Sequence, residues 1–327
     1  MRQVVLEQPG RFLEQAGEAP AAGADEALVR VRRIGVCGTD LHAFAGRQPF
    51  FAYPRILGHE LAVEVLEAPP NDYGVTAGDH CSVEPYVNNP QSAASLRGRP
   101  NCCEDLKVLG VHVDGGMRGL LAVPVRLLHK SERLDWDQLA LVETLGIGQH
   151  AVERSRIESG TEALVVGAGP IGLAALQFLA AEGAKAKVLE LSPERRRFVQ
   201  GLGFEALERP DGKLYDFVFD ATGSKAAMEA AFDYCAHGAT LVFIGLVQDR
   251  ISFDDPTFHR RELTLLASRN SAHAFPKIIS MIENGRIDTR PWINQRFALR
   301  ETVETFPRLR AIPDLVKAVI EVEDSDV

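Results

Sequence analysis

Apolar and polar positions alternate along the first third of the chain. Gln3-Val4-Val5-Leu6 reads as a strand, Pro9-Gly10 as a turn, and Glu26 to Ile34 as a longer strand with one polar face. His59 to Leu66 alternates again, and Gly78 to Val83 makes another short strand. Residues 1–130 therefore read as all-β with long loops, the Pro-rich and polar stretch 84–101 among them. Near residue 138 the period changes: Gln138 to Glu143 and Gly148 to Ile157 carry helical spacing. Short apolar runs then alternate with helical segments. The runs are Ala163-Leu164-Val165-Val166, Lys187 to Glu190, Asp216 to Asp220, Thr240 to Ile244 and Leu263 to Leu266. That alternation predicts a parallel sheet covered on both faces. The last 50 or so residues return to a mixed pattern, with helices expected around 275–284 and 301–318.

Composition narrows the class. The chain has 327 residues, enough for two domains, and 46% of them are apolar, enough for large cores. A net charge of −9 and no basic run longer than Arg195-Arg196-Arg197 argue against a nucleic-acid partner. Five cysteines in a chain this long do not make a disulfide framework. The N-terminal stretch lacks an apolar signal core, and Ile171 to Ala181 is too short to cross a bilayer. The expectation is a cytoplasmic protein with no membrane partner.

Gly167-Ala168-Gly169-Pro170-Ile171-Gly172 follows an apolar strand and opens an apolar helix, the context in which G-x-G-x-x-G binds a dinucleotide. Gly167 permits the tight turn, Gly169 leaves room for a pyrophosphate, and Gly172 lets helix and strand approach. Pro170 suits a first helical turn, where its missing N–H is not needed. The helix N-terminus, at Pro170 and Ile171, turns free N–H groups toward the phosphates. Glu190, about 20 residues on, can accept from ribose hydroxyls and would repel a 2′-phosphate, which favours NAD over NADP. Arg195 could stack on adenine or cap a helix turn.

A second constellation brings together metal-binding residue types. Cys37 lies at a strand end in Gly35-Val36-Cys37-Gly38-Thr39-Asp40-Leu41-His42, His59 and Glu60 follow Gly58, and Glu143 lies in Leu141-Val142-Glu143-Thr144-Leu145-Gly146, at the expected domain junction. Zinc takes thiolate, imidazole and carboxylate ligands, and a catalytic site leaves one position open. These motifs, in this order, resemble the zinc-dependent medium-chain alcohol dehydrogenases, in particular the polyol, threonine and L-galactonate-type sugar-acid branch. The resemblance covers essentially the whole chain.

The resemblance implies a GroES-like catalytic domain at 1–147, a Rossmann NAD-binding domain at 148–272, and a segment 273–327 that completes the first. It implies zinc on Cys37 and His59, with Glu60 or Glu143 as the carboxylate. Asp40 would orient His59 from behind. Thr39 and His42 would carry the alcohol proton away, since each can accept and donate. Arg269, after a predicted strand, and Tyr53, in the loop Gln48-Pro49-Phe50-Phe51-Ala52-Tyr53-Pro54, are substrate candidates, with structural roles as the alternative. The implied reaction moves hydride from a secondary alcohol, a polyol or sugar acid, to NAD, in a homodimer or homotetramer. A strand near 240–244, with the residues after it, resembles the family's dimer-forming edge. Other readings on this fold are a threonine dehydrogenase-like enzyme, a zinc-free quinone or enone reductase, and a non-catalytic NAD-binding protein.

Many relatives hold a structural zinc on C-x2-C-x2-C-x7-C. In this sequence those positions are Asn89, Ser92, Ser95 and Cys103. Neutral amides and hydroxyls are poor zinc ligands, so one zinc per chain is expected. Cys102 and Cys103 then read as free thiols, and the lobe 86–107 as held by packing or partly mobile. A rescued site using Cys81 or His112 is the alternative.

Overall fold

The computed structural model describes residues 1–49 and 51–327. Phe50 of the aromatic loop lies outside the described residues. The chain divides into two compact units, Met1–Glu143 with Phe275–Val327, and Thr144–Ala274.

The first unit is β-rich. The long strand Glu26–Val36 runs through a seven-stranded sheet and pairs antiparallel with Glu60–Glu67, Leu120–Pro124 and Lys317–Glu321. One face of this alternating strand is apolar and fully buried (Ala27, Val29, Val31, Ile34) and joins a core with Leu61, Val63, Val65, Leu121 and Ile320. A three-stranded sheet of Arg2–Gln8, Arg11–Ala16 and Arg55–Ile56 flanks it. The strand register sets Gly35 opposite both Glu60 and Val319, and Val36 opposite Ala318.

The expected helix over 301–318 is corrected. The helix Thr302–Thr305 passes into a 3-10 turn, Phe306–Ala311, and Lys317–Glu321 is a strand. Pro307 and Pro313 remove backbone donors that a continuous helix needs, and the β-branched Val319 and Ile320 suit a strand.

The second unit is a six-stranded parallel sheet. Its order is Glu205–Leu207, Lys185–Leu189, Glu162–Val166, Tyr215–Asp220, Cys235–Phe243, Thr264–Ala267. Numbered along the chain this is 3-2-1-4-5-6, the doubly wound dinucleotide-binding order. Its central strand Glu162–Val166 is a near-continuous buried apolar run, as expected of a strand covered on both faces. Cys235–Phe243 has a neighbour on each side, so among the described residues the sheet's outer strand here is Thr264–Ala267 rather than 240–244. No helix among the described residues is long and apolar enough to cross a membrane.

Candidate metal centre and dinucleotide loop

Cys37 ends the strand Glu26–Val36 and caps the short helix Gly38–Phe44. The Asp40 carboxylate accepts from the Cys37 N–H at 2.9 Å and so fixes the thiol's backbone. Its other oxygen lies 3.7 Å from His59 Nδ1, facing the ring without a hydrogen bond. Glu60 begins the strand Glu60–Glu67, and His59 directly precedes it. Strand pairing thus delivers Cys37, His59 and Glu60 to one point, with one donor atom of each within 4.8 Å of the others.

His59 and Glu60 are buried, and Cys37 is half-buried. Burial alone would lower the His59 pKa. Asp40, Cys37 and Glu143 outweigh it and carry it well above the usual value. The field that holds a proton on His59 is one that attracts a cation. Glu60 Oε2 is buried, where a carboxylate oxygen needs a cation beside it. A thiolate, an imidazole and a carboxylate in a negative, desolvated pocket fit zinc.

Thr39 and His42 stand three residues apart on the helix Gly38–Phe44 and share a face. Burial, then Arg310 and Arg47, lower the His42 pKa. Its ring therefore stays neutral to lower pH than usual, able to accept a proton. The Tyr53 hydroxyl donates to the Ala43 carbonyl at 2.5 Å, and its ring packs edge-on against Phe51. Tyr53 thus ties its loop to the helix.

In the second unit, Gly167 has φ +96°, where an L side chain is strained. Gly169 caps the helix Pro170–Ala181, with Pro170 and Ile171 in its first turn, and nothing lies within 4 Å of where its Cβ would stand. A Cβ on Gly172 would lie 1.9 Å from the Gly167 carbonyl oxygen. Glu190 follows the strand Lys185–Leu189 and accepts from the Ala168 and Ser192 N–H groups, each at 2.8 Å. It therefore braces the glycine loop and keeps lone pairs free on both oxygens. The Arg195 N–H donates to Ser192 Oγ in the first turn of Pro193–Gly201. Arg269 is exposed just beyond Thr264–Ala267.

Two family models match the chain. One describes an alcohol dehydrogenase GroES-like domain, over residues 23–133, and the other a zinc-binding dehydrogenase, over residues 170–284. The L-galactonate-5-dehydrogenase of Escherichia coli K12 is 38% identical, over 98% of both chains. This chain belongs to the zinc-binding alcohol dehydrogenases.

Other relatives of the family agree. The D-altritol 5-dehydrogenase of Agrobacterium fabrum is 33% identical over 89% of this chain and 90% of its own. A solved oxidoreductase/dehydrogenase of unknown specificity from Escherichia coli superposes with a TM-score of 0.93, at 25% identity over 99% of each chain.

In this dehydrogenase the four lobe positions converge without thiolates at three of them. Ser92 Oγ lies 2.9 Å from Ser95 Oγ, and the Asn89 N–H donates to Cys103 Sγ at 3.3 Å. Burial works against ionising Cys103. Hydrogen bonds from Ser92, the Asn89 and Asp105 backbone, and Ser95 outweigh it and lower the thiol's pKa. Polar groups from all three of the other positions thus gather around one sulfur. Cys102 and Cys103 are both free thiols.

Two residues of the centre were not singled out from the sequence. Tyr86 donates its hydroxyl to Glu143, and both are buried. Lys317 Nζ lies 2.5 Å from each oxygen of the Glu60 carboxylate. Burial would lower the Lys317 pKa, but Glu60, Cys37 and Glu143 raise it above the usual value, so the amine stays charged. The available signals were faint: a lysine inside an apolar run, and a tyrosine after Glu84-Pro85.

Proposed function

We propose that this dehydrogenase oxidises a secondary alcohol of a polyol or sugar acid, passing hydride to NAD at a single zinc centre. The observation that carries the reading is the convergence of Cys37, His59 and Glu60 in a buried, negatively charged pocket. We assign the metal to these three. Glu143, tied to Tyr86, is assigned to the surrounding charge rather than to the ligand set. When bound, the metal supplies Lewis acidity to the substrate hydroxyl and the dinucleotide supplies the hydride acceptor. Asp40 holds the Cys37 backbone and faces the His59 ring, and Thr39 and His42 carry the released proton outward. Gly167, Gly169 and Gly172 shape the pyrophosphate seat, and Glu190 receives the ribose hydroxyls.

The substrate class is supported by the relatives named above, whose substrates are a sugar acid and an alditol. Arg269 is the candidate to hold a carboxylate or hydroxyl chain. Measuring NADH formation across alditols, aldonic acids, threonine and simple alcohols tests it. The reading expects aldonic acids or alditols to lead, and a clear preference for threonine or ethanol would overturn it.

Glu190→Gln keeps an acceptor for the Ala168 N–H but removes the charge. The ratio of NAD to NADP affinity is expected to fall by about tenfold or more, because a carboxylate repels the 2′-phosphate and an amide does not. Titration calorimetry with both cofactors measures this.

Elemental analysis of the purified chain is expected to find one zinc per chain. A second equivalent would place a metal in the lobe despite Asn89, Ser92 and Ser95. The free thiols fit a reducing compartment, and we assign the protein to the cytoplasm. Leu265, exposed on the outer strand Thr264–Ala267, supports self-association as a homodimer or homotetramer.

A further inference from the structure

Lys317 is the one lysine or arginine among the buried described residues, and the charges that act on its amine are Glu60, Cys37 and Glu143. It starts the strand Lys317–Glu321, two residues before Val319 and therefore on the same face. Val319 lies opposite Gly35, and Gly35 lies opposite Glu60, so these positions form one row across three strands. A Cβ on Gly35 would stand 2.0 Å from Glu60 Oε2. The missing side chain is what lets the Glu60 carboxylate lie across the middle strand and meet the lysine. Glu60 thus has two claimants, the ammonium on one side and the Cys37–His59 donor pair on the other.

We propose that Lys317 and the metal are alternative partners of Glu60. The ammonium holds the carboxylate when the metal is absent and weakens it as a ligand when the metal is present. Lys317 therefore lowers the metal affinity of the centre. The inference rests on the zinc assignment above, and it makes Lys317 a positioning residue. Its physical basis is charge. A buried carboxylate needs a cation close by, and here a fixed monocation stands beside a site for a dication, so the two compete for one anion and repel each other.

The test uses full-length protein, with Lys317→Met to remove the charge at similar volume and Lys317→Arg to keep it. Zinc affinity is read by competition with a chromophoric chelator, and melting temperature is read for metal-free and zinc-loaded protein. Lys317→Met should hold zinc about tenfold tighter or more, since both the repulsion and the competitor are gone. Its metal-free form should melt well below wild type, and zinc should restore most of the loss. Lys317→Arg should stay near wild type in both readings. The double variant Lys317→Met/Glu60→Gln, with neither charge, should regain much of the metal-free stability. A purely structural lysine predicts the opposite pattern: weaker or unchanged zinc affinity in Lys317→Met, and equal losses with and without metal. Either finding, or a Lys317→Met protein that fails to fold even with zinc, overturns the proposal. Wild type that binds no zinc through Cys37 would instead remove the underlying site assignment.

Discussion

Cys37→Ser is expected to lose its zinc and to turn over alcohol on the order of a thousandfold more slowly. Lewis-acid stabilisation is worth several kcal/mol, and each factor of ten in rate corresponds to about 1.4 kcal/mol. A serine hydroxyl is a neutral, hard donor and cannot replace a soft thiolate. The fold should survive the change. Cys37 is only half-buried, and Asp40 grips its backbone N–H rather than its side chain. Elemental analysis, steady-state rates and circular dichroism on one preparation separate these outcomes. A Cys37→Ser enzyme with full zinc and full activity would move the metal centre elsewhere.

Gly172→Ala should nearly abolish NAD binding while leaving zinc content intact. The added methyl would sit 1.9 Å from the Gly167 carbonyl oxygen and 3.0 Å from its carbon, so backbone must move on both sides of the loop. Overpacking of this kind costs about 1–3 kcal/mol, and the displaced N–H groups are those that would receive the phosphates. Dinucleotide affinity should fall by about a hundredfold, read by quenching or calorimetry. Gly169→Ala is the control. Its Cβ meets nothing within 4 Å, so the fold should tolerate it, and the loss should appear only when pyrophosphate approaches. If both variants bind NAD like wild type, the cofactor does not use this loop.

Much of the architecture was legible in sequence because its causes are local. A strand read from alternation and a glycine loop read from spacing each depend on a few neighbouring residues, and the glycines are needed for backbone reasons visible within the motif. The loop stands where the motif put it, with Gly167 at positive φ and Gly172 against its carbonyl. The 301–318 segment misled because its apolar spacing suited a helix, while two prolines and a strand partner decided otherwise.

The centre divides along the same line. Residue type and position in the chain marked Cys37, His59, Glu60 and Glu143, because few side chains offer lone pairs to zinc and these sit at strand ends and a unit boundary. Sequence left the two glutamates equivalent. Tertiary structure gives each a different partner, Lys317 for Glu60 across 257 residues and Tyr86 for Glu143 across 57. No local pattern encodes such pairs. A lysine among apolar residues becomes part of the metal centre only when sheet register sets Lys317–Glu321 against Glu26–Val36 and Gly35 leaves the space between. Sequence alone named the atoms whose chemistry suits a metal and a dinucleotide, since that follows from side-chain type and backbone freedom. Folding decided which buried charges face one another, because Coulomb energy depends on distance in space and not on distance along the chain.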